Sequence, residues 1–498
     1  MQGNHFENSS DTASVKIVQT DVGAVDGQNK CPKCGATDIS LNSVTGKLRC
    51  NFCRHEFLPT KAVGIDTDVS KLEGEVIGSG ATNIQADTQD VITFKCSSCG
   101  AEVVIDTTSA LQARCHWCRN TLSVNQQIPN GSIPDMLLPF QIPKEVAKIQ
   151  IEEFVRKRKF YAHPKFKAEF TTENIMGVYF PYMVVDINSH ALFVGEGEHT
   201  TRKYLRRSGN TTKTYYDADV YAVEREFDLA IHGLTVESNK ERLNKNAADK
   251  TNNVINSIMP FDIQNCVQYN SNYLKGYTSE RRDTNVDNLR EIVDNQSKDV
   301  AKFAANDTLK EYDRGVRWST QNMSVKGTQW KSAYLPVWLY SYQQVNGEKK
   351  VLHYVAVNGR TKETMGSVPI YLPKLFIVSF LIEILGILGV LFVDFDYNWC
   401  FLLAGFIYFF IIYGKYRNKN ARHKYETETK TQMDNLRKID RLIRRRTGLV
   451  NPKIEGANNT SISGQTLEEQ MLNKVMDFSK VSNFINKNDK NRKNGGSL

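Results

Sequence analysis

The stretch CPKCGATDISLNSVTGKLRCNFC, residues 31–53, is repeated in outline as CSSCGAEVVIDTTSALQARCHWC, residues 96–118. Each copy holds a CxxC pair, fifteen intervening residues and a second CxxC pair, so Cys31, Cys34, Cys50 and Cys53 are matched in turn by Cys96, Cys99, Cys115 and Cys118. Two residues between cysteines let one tight turn aim both thiolates at a single ion. A second such knuckle across a short hairpin completes a tetrahedral sulfur shell. Gly35 and Gly100 follow the first pair of each copy, where the knuckle backbone takes a positive φ. The pattern predicts two small β zinc ribbons, at 30–58 and 95–124, each holding one Zn2+. Four thiolates leave no position for water or substrate, so both sites are expected to be structural. His55 and His116 adjoin the second pairs, and with the shell already full they are read as surface residues of the hairpins. A disulfide reading competes, but the pairs are regular and no secretory leader precedes them, which points to thiolates in a reducing compartment.

Composition sets the outer limits. A chain of 498 residues has room for roughly two to four domains. Its 64 basic and 55 acidic residues give a net charge of +9, and the surplus is concentrated late in the chain, so charge alone does not call for nucleic acid. Cys266 and Cys400 stand apart from the ribbons and read as buried apolar side chains.

Outward from the ribbons, residues 1–29 lack apolar periodicity and read as a disordered tail. Residues 59–94 are rich in Thr, Asp and Gly and read as a linker with one short strand. An α+β body with antiparallel sheet is expected over 133–370, carrying a weak internal repeat. Leu138-Pro139-Phe140 is echoed by Met259-Pro260-Phe261, and Tyr179-Phe180-Pro181-Tyr182 by Tyr334-Leu335-Pro336-Val337. Between these landmarks lie two helical patterns, Val146 to Val155 after Pro143 and Val286 to Leu309. Ser208-Gly209-Asn210 and Asn346-Gly347 mark hairpin tips.

Two apolar runs follow, Leu375–Val393 and Trp399–Tyr413, and predict a transmembrane helical hairpin over 375–413. Their short connection carries Asp394 and Asp396, while Lys374 precedes the pair and Lys415, Arg417, Lys419, Arg422 and Lys424 follow it. The positive-inside rule then puts both termini and the ribbons in the cytoplasm, on a multi-pass protein of the cell membrane. Glu383, in mid-span, is read as a protonated carboxyl bonded to a neighbouring helix, either of the hairpin or of a second copy in a homo-oligomer, in preference to the alternative of an ion path. Residues 415–448 read as a basic helix, ending in Arg441, Arg444, Arg445 and Arg446, that is either drawn to anionic lipid or simply a solvated charged helix, with nucleic acid as a further alternative partner. Residues 449–498 read as a linker, a short amphipathic helix from Leu467 to Ile485 and a disordered end.

The order of parts resembles a bacterial family of TFIIB-type zinc ribbon-containing membrane proteins of uncharacterised function. The resemblance is carried by CPKCGA, RCNFC, CSSCGA and RCHWC, then LLPF, YFPY, MPFD, YLPVWLYSY and VAVNGRT, over about residues 30–415. It implies zinc at the eight cysteines and attachment to a membrane. The ribbons are also similar to those of transcription factors and of the primosomal helicase, but the chain has no Walker A motif and so no motor.

These features predict an adaptor or scaffold that presents protein-binding surfaces at the bilayer. No catalysis is expected: His163, His190, His199, His232 and His353 are scattered, and no nucleophile elbow, HExxH or phosphate loop accompanies them. The alternative is a membrane-tethered nucleic-acid binder using Arg202, Lys203, Arg206 and Arg207 with Lys47, Arg49 and Arg54. Against it, the ribbons lack the basic and aromatic density of a phosphate-tracking surface.

Overall fold

The computed structural model describes residues 15–18, 31–36, 39–42, 45–82, 91–95, 102–106, 113–116, 121–122, 127–128, 134–208, 211–239, 256–269, 271–274, 276–280, 282–346, 349–392, 403–417 and 424–449. Short strands come first: β1 Lys16–Val18, β2 Ile39–Leu41, β3 Leu48–Cys50, β4 Glu56–Phe57, β5 Gly74–Gly78, β6 Val91–Lys95, β7 Glu102–Asp106, β8 Ala113–Arg114, β9 Thr121–Leu122, β10 Gln127–Ile128 and β11 Met136–Leu137. The body opens with helices α1 Lys144–Arg156 and α2 Pro164–Glu169, then the strands β12 Met176–Ser208, β13 Thr211–Glu237, β14 Val267–Gln268 and β15 Thr278–Glu280. It continues with α3 Val286–Asn306, β16 Val316–Asn346, β17 Lys349–Asn358 and β18 Thr364–Gly366. Helices α4 Leu372–Phe392, α5 Ala404–Arg417 and α6 Tyr425–Glu428 lead into β19 Lys430–Leu449. The chain is a mixed α/β protein of two compact units: Met1–His190 with Asp228–Ala301 and Ser324–Asp434, and Ala191–Phe227 with Lys302–Met323 and Asn435–Leu498.

The core of the first unit follows from side-chain alternation along β16. Ala333, Leu335, Val337 and Leu339 enter one buried cluster, while Tyr334, Trp338, Tyr340 and Tyr342 enter another. Successive residues of a strand point to opposite faces, so one face of the sheet is aliphatic and the other aromatic. The β12 sequence repeats the arrangement, with Val178, Phe180, Tyr182 and Val184 on the aliphatic side and Tyr179 on the aromatic one. Helix α1 covers the aromatic face through Ala147, Ile151, Phe154 and Val155, whose spacing forms a single stripe. Leu375 of α4 and Tyr416 of α5 belong to the same cluster.

Each half of the body is thus a helix, α1 or α3, followed by a long strand that returns as a hairpin: β12 with β13, and β16 with β17. The tips fall where the turn residues indicate. Asn346 faces Lys349 across the second hairpin, and β12 ends at Ser208 three residues before β13 begins at Thr211.

Four expectations are corrected. Part of the presumed disordered tail, Lys16–Val18, is a strand paired in parallel with Val76–Gly78. The stretch read as a linker is woven into the first unit: β5 lies in parallel beside Gly327–Trp330 of β16, and Lys61 bridges Val267. Glycine permits that approach, since a Cβ on Gly327 would sit 2.7 Å from Glu73 N.

Among the described residues, the basic segment 415–448 is helical only to Arg417 and in the four-residue α6; from Lys430 it is β19, paired with β13. Leu436, Ile439, Leu442 and Ile443 have helical spacing, but pairing with a distant strand overrides local propensity. Finally, only one described helix is long and apolar enough to cross a membrane, over Leu372–Gly389. The described part of the second apolar run belongs to α5, a helix of 14 residues, and residues 393–402 lie outside the described residues. The amphipathic helix of 467–485 and residues 451–498 as a whole lie outside the described residues.

The second unit takes the distal parts of β12 and β13, residues 302–323 and the 435–449 part of β19. Its centre is Arg225, fully buried, whose guanidinium donates to Asp440, Thr308, Glu311 and the Glu224 carbonyl. Around it β19 is laced by Arg444 to Glu196, Arg445 to Asp219 and Arg446 to Glu198.

Candidate metal centre

The first ribbon is a three-stranded antiparallel sheet, β2-β3-β4, with a cysteine knuckle ahead of β2 and another between β3 and β4. The knuckles share one backbone pattern. Gly35 N donates to Cys31 O at 2.8 Å and Arg54 N to Cys50 O at 2.9 Å, while Cys31 N reaches Ala36 O and Cys50 N reaches His55 O, each at 2.9 Å. The residue after each pair has positive φ, 72° at Gly35 and 60° at Arg54. Glycine takes that region freely, whereas arginine is strained there.

These turns bring the four sulfurs together. Cys31 Sγ lies 3.5 Å from Cys53 Sγ and Cys34 Sγ lies 3.6 Å from Cys50 Sγ, with all four within 4.8 Å of one another. A regular tetrahedron with metal–sulfur bonds of about 2.3 Å has sulfur–sulfur edges of about 3.8 Å, so the set fits a tetrahedral ion. No disulfide links these cysteines. Cys31 and Cys34 are shifted in opposite directions. Desolvation would raise Cys31, but amide hydrogen bonds from Lys33 and Cys34 and the thiol of Cys53 bring it down to about 7. At Cys34 a bond from the Ala36 amide lowers the thiol, yet desolvation and the neighbouring Cys53, Cys50 and Cys31 sulfurs push it up to about 12. Exposed Lys33, Lys47, Arg49 and Arg54 lie on the same ribbon and offset the net negative charge of a divalent ion held by four thiolates. Ile39, Leu48 and Phe57 carry the ribbon into the aromatic cluster of the body, beside Tyr273 and Leu274.

In the second copy, Cys96, Cys99 and Cys118 lie outside the described residues. What is described is the frame: hairpin β6-β7 on either side of the first pair, and β8-β9 on either side of the second. Cys115 is buried, packed in the aliphatic cluster with Val103 and Phe180. β7 is itself paired with β15, Val104 facing Ser279, so this module continues the sheet of the body.

His116 corrects the sequence reading. It is a buried residue, not a surface one: Nε2 lies 3.0 Å from Glu280 Oε1, its carbonyl accepts from Ser341 Oγ at 2.6 Å, and Asn239 reaches the other Glu280 oxygen. Sequence reasoning missed this group because nothing local to His116 points to Glu280, 164 positions away. His55 is half-buried, its ring stacked on Phe57 and outside the sulfur set. Of the five scattered histidines, His190 pairs with Asp228 and His353 with Ser367 and Gln344, and His163 packs edge-on against Tyr371.

Helices α4 and α5 pack against each other, with Phe376 stacked on Phe409 at 4.8 Å. Glu383 is used within this pair. Its Oε2 accepts from Gly405 N at 2.8 Å and so caps the first turn of α5. Gly405 is what lets the helices meet there, since a Cβ would lie 2.9 Å from Glu383 N and closer still to Ser379 O.

No family model, no curated protein and no solved structure matches this chain.

Proposed function

We propose that the chain is a membrane-anchored zinc-ribbon adaptor, as the TFIIB-type resemblance of its motifs also suggests. Each ribbon holds one structural Zn2+, through Cys31, Cys34, Cys50 and Cys53 in one and Cys96, Cys99, Cys115 and Cys118 in the other. The ion supplies cross-linking alone, since four thiolates leave no open coordination position. The apolar pair is the anchor. The run Trp399–Tyr413 supplies the second crossing, and Lys374 and Lys415 hold both ends on the cytoplasmic side. The ribbons and body then present surfaces to a protein partner at the inner leaflet.

One observation carries this reading: only 17 % of Leu372–Gly389 is buried. A core helix of a soluble domain hides its apolar side chains, whereas this one leaves Phe376, Phe380 and Leu385 uncovered on a scale that marks an interaction or membrane surface. Two measurements on the full chain test it. Membranes washed in alkaline carbonate are expected to retain the protein, and its release would end the anchoring. Metal analysis after reducing purification in detergent is expected to find two zinc ions, falling to one in Cys34→Ser; finding none in the parent chain would end the zinc assignment.

A second reading has one observation in its favour. The β12–β13 hairpin exposes Arg202, Lys203, Arg206 and Arg207 around an uncovered Leu205, a face that a nucleic-acid backbone would fit. Salt-sensitive retention of the detergent-solubilised chain on DNA or RNA would favour it; no retention at low salt would remove it.

A further inference from the structure

We infer that residues Arg156–Phe160, together with Lys374 and Lys415, form a collar that seats on anionic lipid headgroups. The inference rests on the anchoring proposed above and adds the lipid chemistry and the residues that meet it.

The collar is assembled from distant parts of the first unit. Where α1 ends, the chain runs directly beneath the start of α4 and the end of α5, and backbone groups tie it there. Tyr416 Oη donates to the Arg158 carbonyl and accepts from Tyr161 N at 2.9 Å. Tyr371 N donates to Tyr161 O at 2.7 Å, and His163 N to Pro369 O at 2.8 Å. Tyr161 and Tyr408 join hydroxyls at 2.9 Å. Arg158 is the inward strut: buried, it lies over the Phe154 ring at 3.5 Å and donates to Phe154 O and Lys415 O.

With Arg158 turned inward, its neighbours turn out. Arg156, Lys157, Lys159 and Lys415 are exposed, and Phe160 is 60 % exposed although it is a large apolar side chain. Lys374, the first cation of α4, stands 3.7 Å over the Phe160 ring and donates to the Phe160 carbonyl at 3.0 Å. Lys157 is shared with Glu153 at 2.8 Å, an exposed pair that water weakens, while no ion pair occupies Arg156, Lys159 or Lys415 among the described residues.

Height decides the occupant. If α4 crosses the bilayer, its Lys374 end is the water–lipid boundary, and the collar is bonded to that end at several points. A ring of lysine and arginine around an aromatic side chain at that level matches phosphate headgroups above acyl chains. A merely solvated turn would have no reason to hold a bare phenylalanine there.

The test uses the full chain carrying Phe160→Trp in nanodiscs of phosphatidylcholine, alone or mixed with phosphatidylglycerol, the parent's native tryptophan signal being subtracted. Bromine placed on the acyl chains near the headgroup is expected to quench the added tryptophan about twofold, and more strongly with phosphatidylglycerol. Arg156→Glu/Lys159→Glu, at two exposed positions, is expected to lower the phosphatidylglycerol discs to the level of the neutral ones. An unquenched tryptophan in discs that retain the chain overturns the collar and leaves the anchor standing; a chain that leaves the discs on gel filtration overturns both. A response to an oligonucleotide with no quenching by lipid would assign the surface to nucleic acid and likewise overturn the collar.

Discussion

Truncating Asp440 to alanine should loosen the second unit by an amount that the structure allows to be worked out. Arg225 has five N–H donors and all five are met: Nε by Thr308 Oγ1 at 3.0 Å, Nη1 by Asp440 Oδ1 at 2.7 Å and Glu224 O at 2.8 Å, Nη2 by Asp440 Oδ2 at 3.1 Å and Glu311 Oε1 at 3.5 Å. Removing the carboxylate leaves a fully buried cation short of two acceptors. Breaking a buried pair costs about 3–5 kcal/mol. The Asp440 side chain is 27 % exposed, so water can partly replace it and the lower end, about 3 kcal/mol, applies. At about 1.4 kcal/mol per factor of ten, amides of 216–227 and 435–447 should lose about a hundredfold in hydrogen-exchange protection. Exchange followed by mass spectrometry on the intact chain reads this locally, without assuming that both units unfold together. Two controls set the sign. Arg437→Ala breaks an exposed pair with Glu226 and should cost under about 1 kcal/mol. Arg225→Met/Asp440→Leu removes both charges and should recover most of the protection. Protection in Asp440→Ala within about threefold of the parent, or a double variant as damaged as the single one, would refute the reasoning.

Gly405→Val should separate α4 from α5 by setting a side chain against Glu383 and Ser379, at about 1–3 kcal/mol; crosslinking between Phe376→Cys and Phe409→Cys should fall severalfold, and an unchanged yield would contradict the close approach. In the first ribbon the strained φ of Arg54 should make Arg54→Gly stabilising by up to about 1 kcal/mol, whereas Gly35→Ala should destabilise by about as much, each read as a change in zinc retention against a competing chelator. Zinc loading at pH 7 should release at least one proton, because Cys34, pushed up to about 12, is protonated without metal. Affinity should therefore drop at least tenfold for each pH unit below 7, and calorimetry in buffers of different ionisation heat showing no proton release would contradict this.

What the chain spells locally was legible in it. The knuckles of the first ribbon follow from a two-residue spacing, and the four sulfurs that the spacing pairs do converge. Helices α1 and α3, the hairpin tips near residue 209 and at Asn346, and the long apolar α4 are likewise set by periodicity and turn chemistry within a few residues of each other. Everything decided by a distant partner was not legible. The basic stretch after α5 has the apolar spacing of a helix and becomes a strand because β13 offers it an edge and Glu196, Glu198 and Asp219 offer its arginines carboxylates. With the sulfur shell already full, sequence alone reads His116 as a surface residue; it is buried against Glu280, 164 residues later. Nothing local marks the run Arg156–Phe160; its bonds to Tyr416, Lys415 and Lys374 come from remote segments. Metal geometry and helical or strand periodicity act over one or two turns, so a sequence records them; strand pairing and buried ion pairs depend on which remote segments arrive, and only the folded chain decides that.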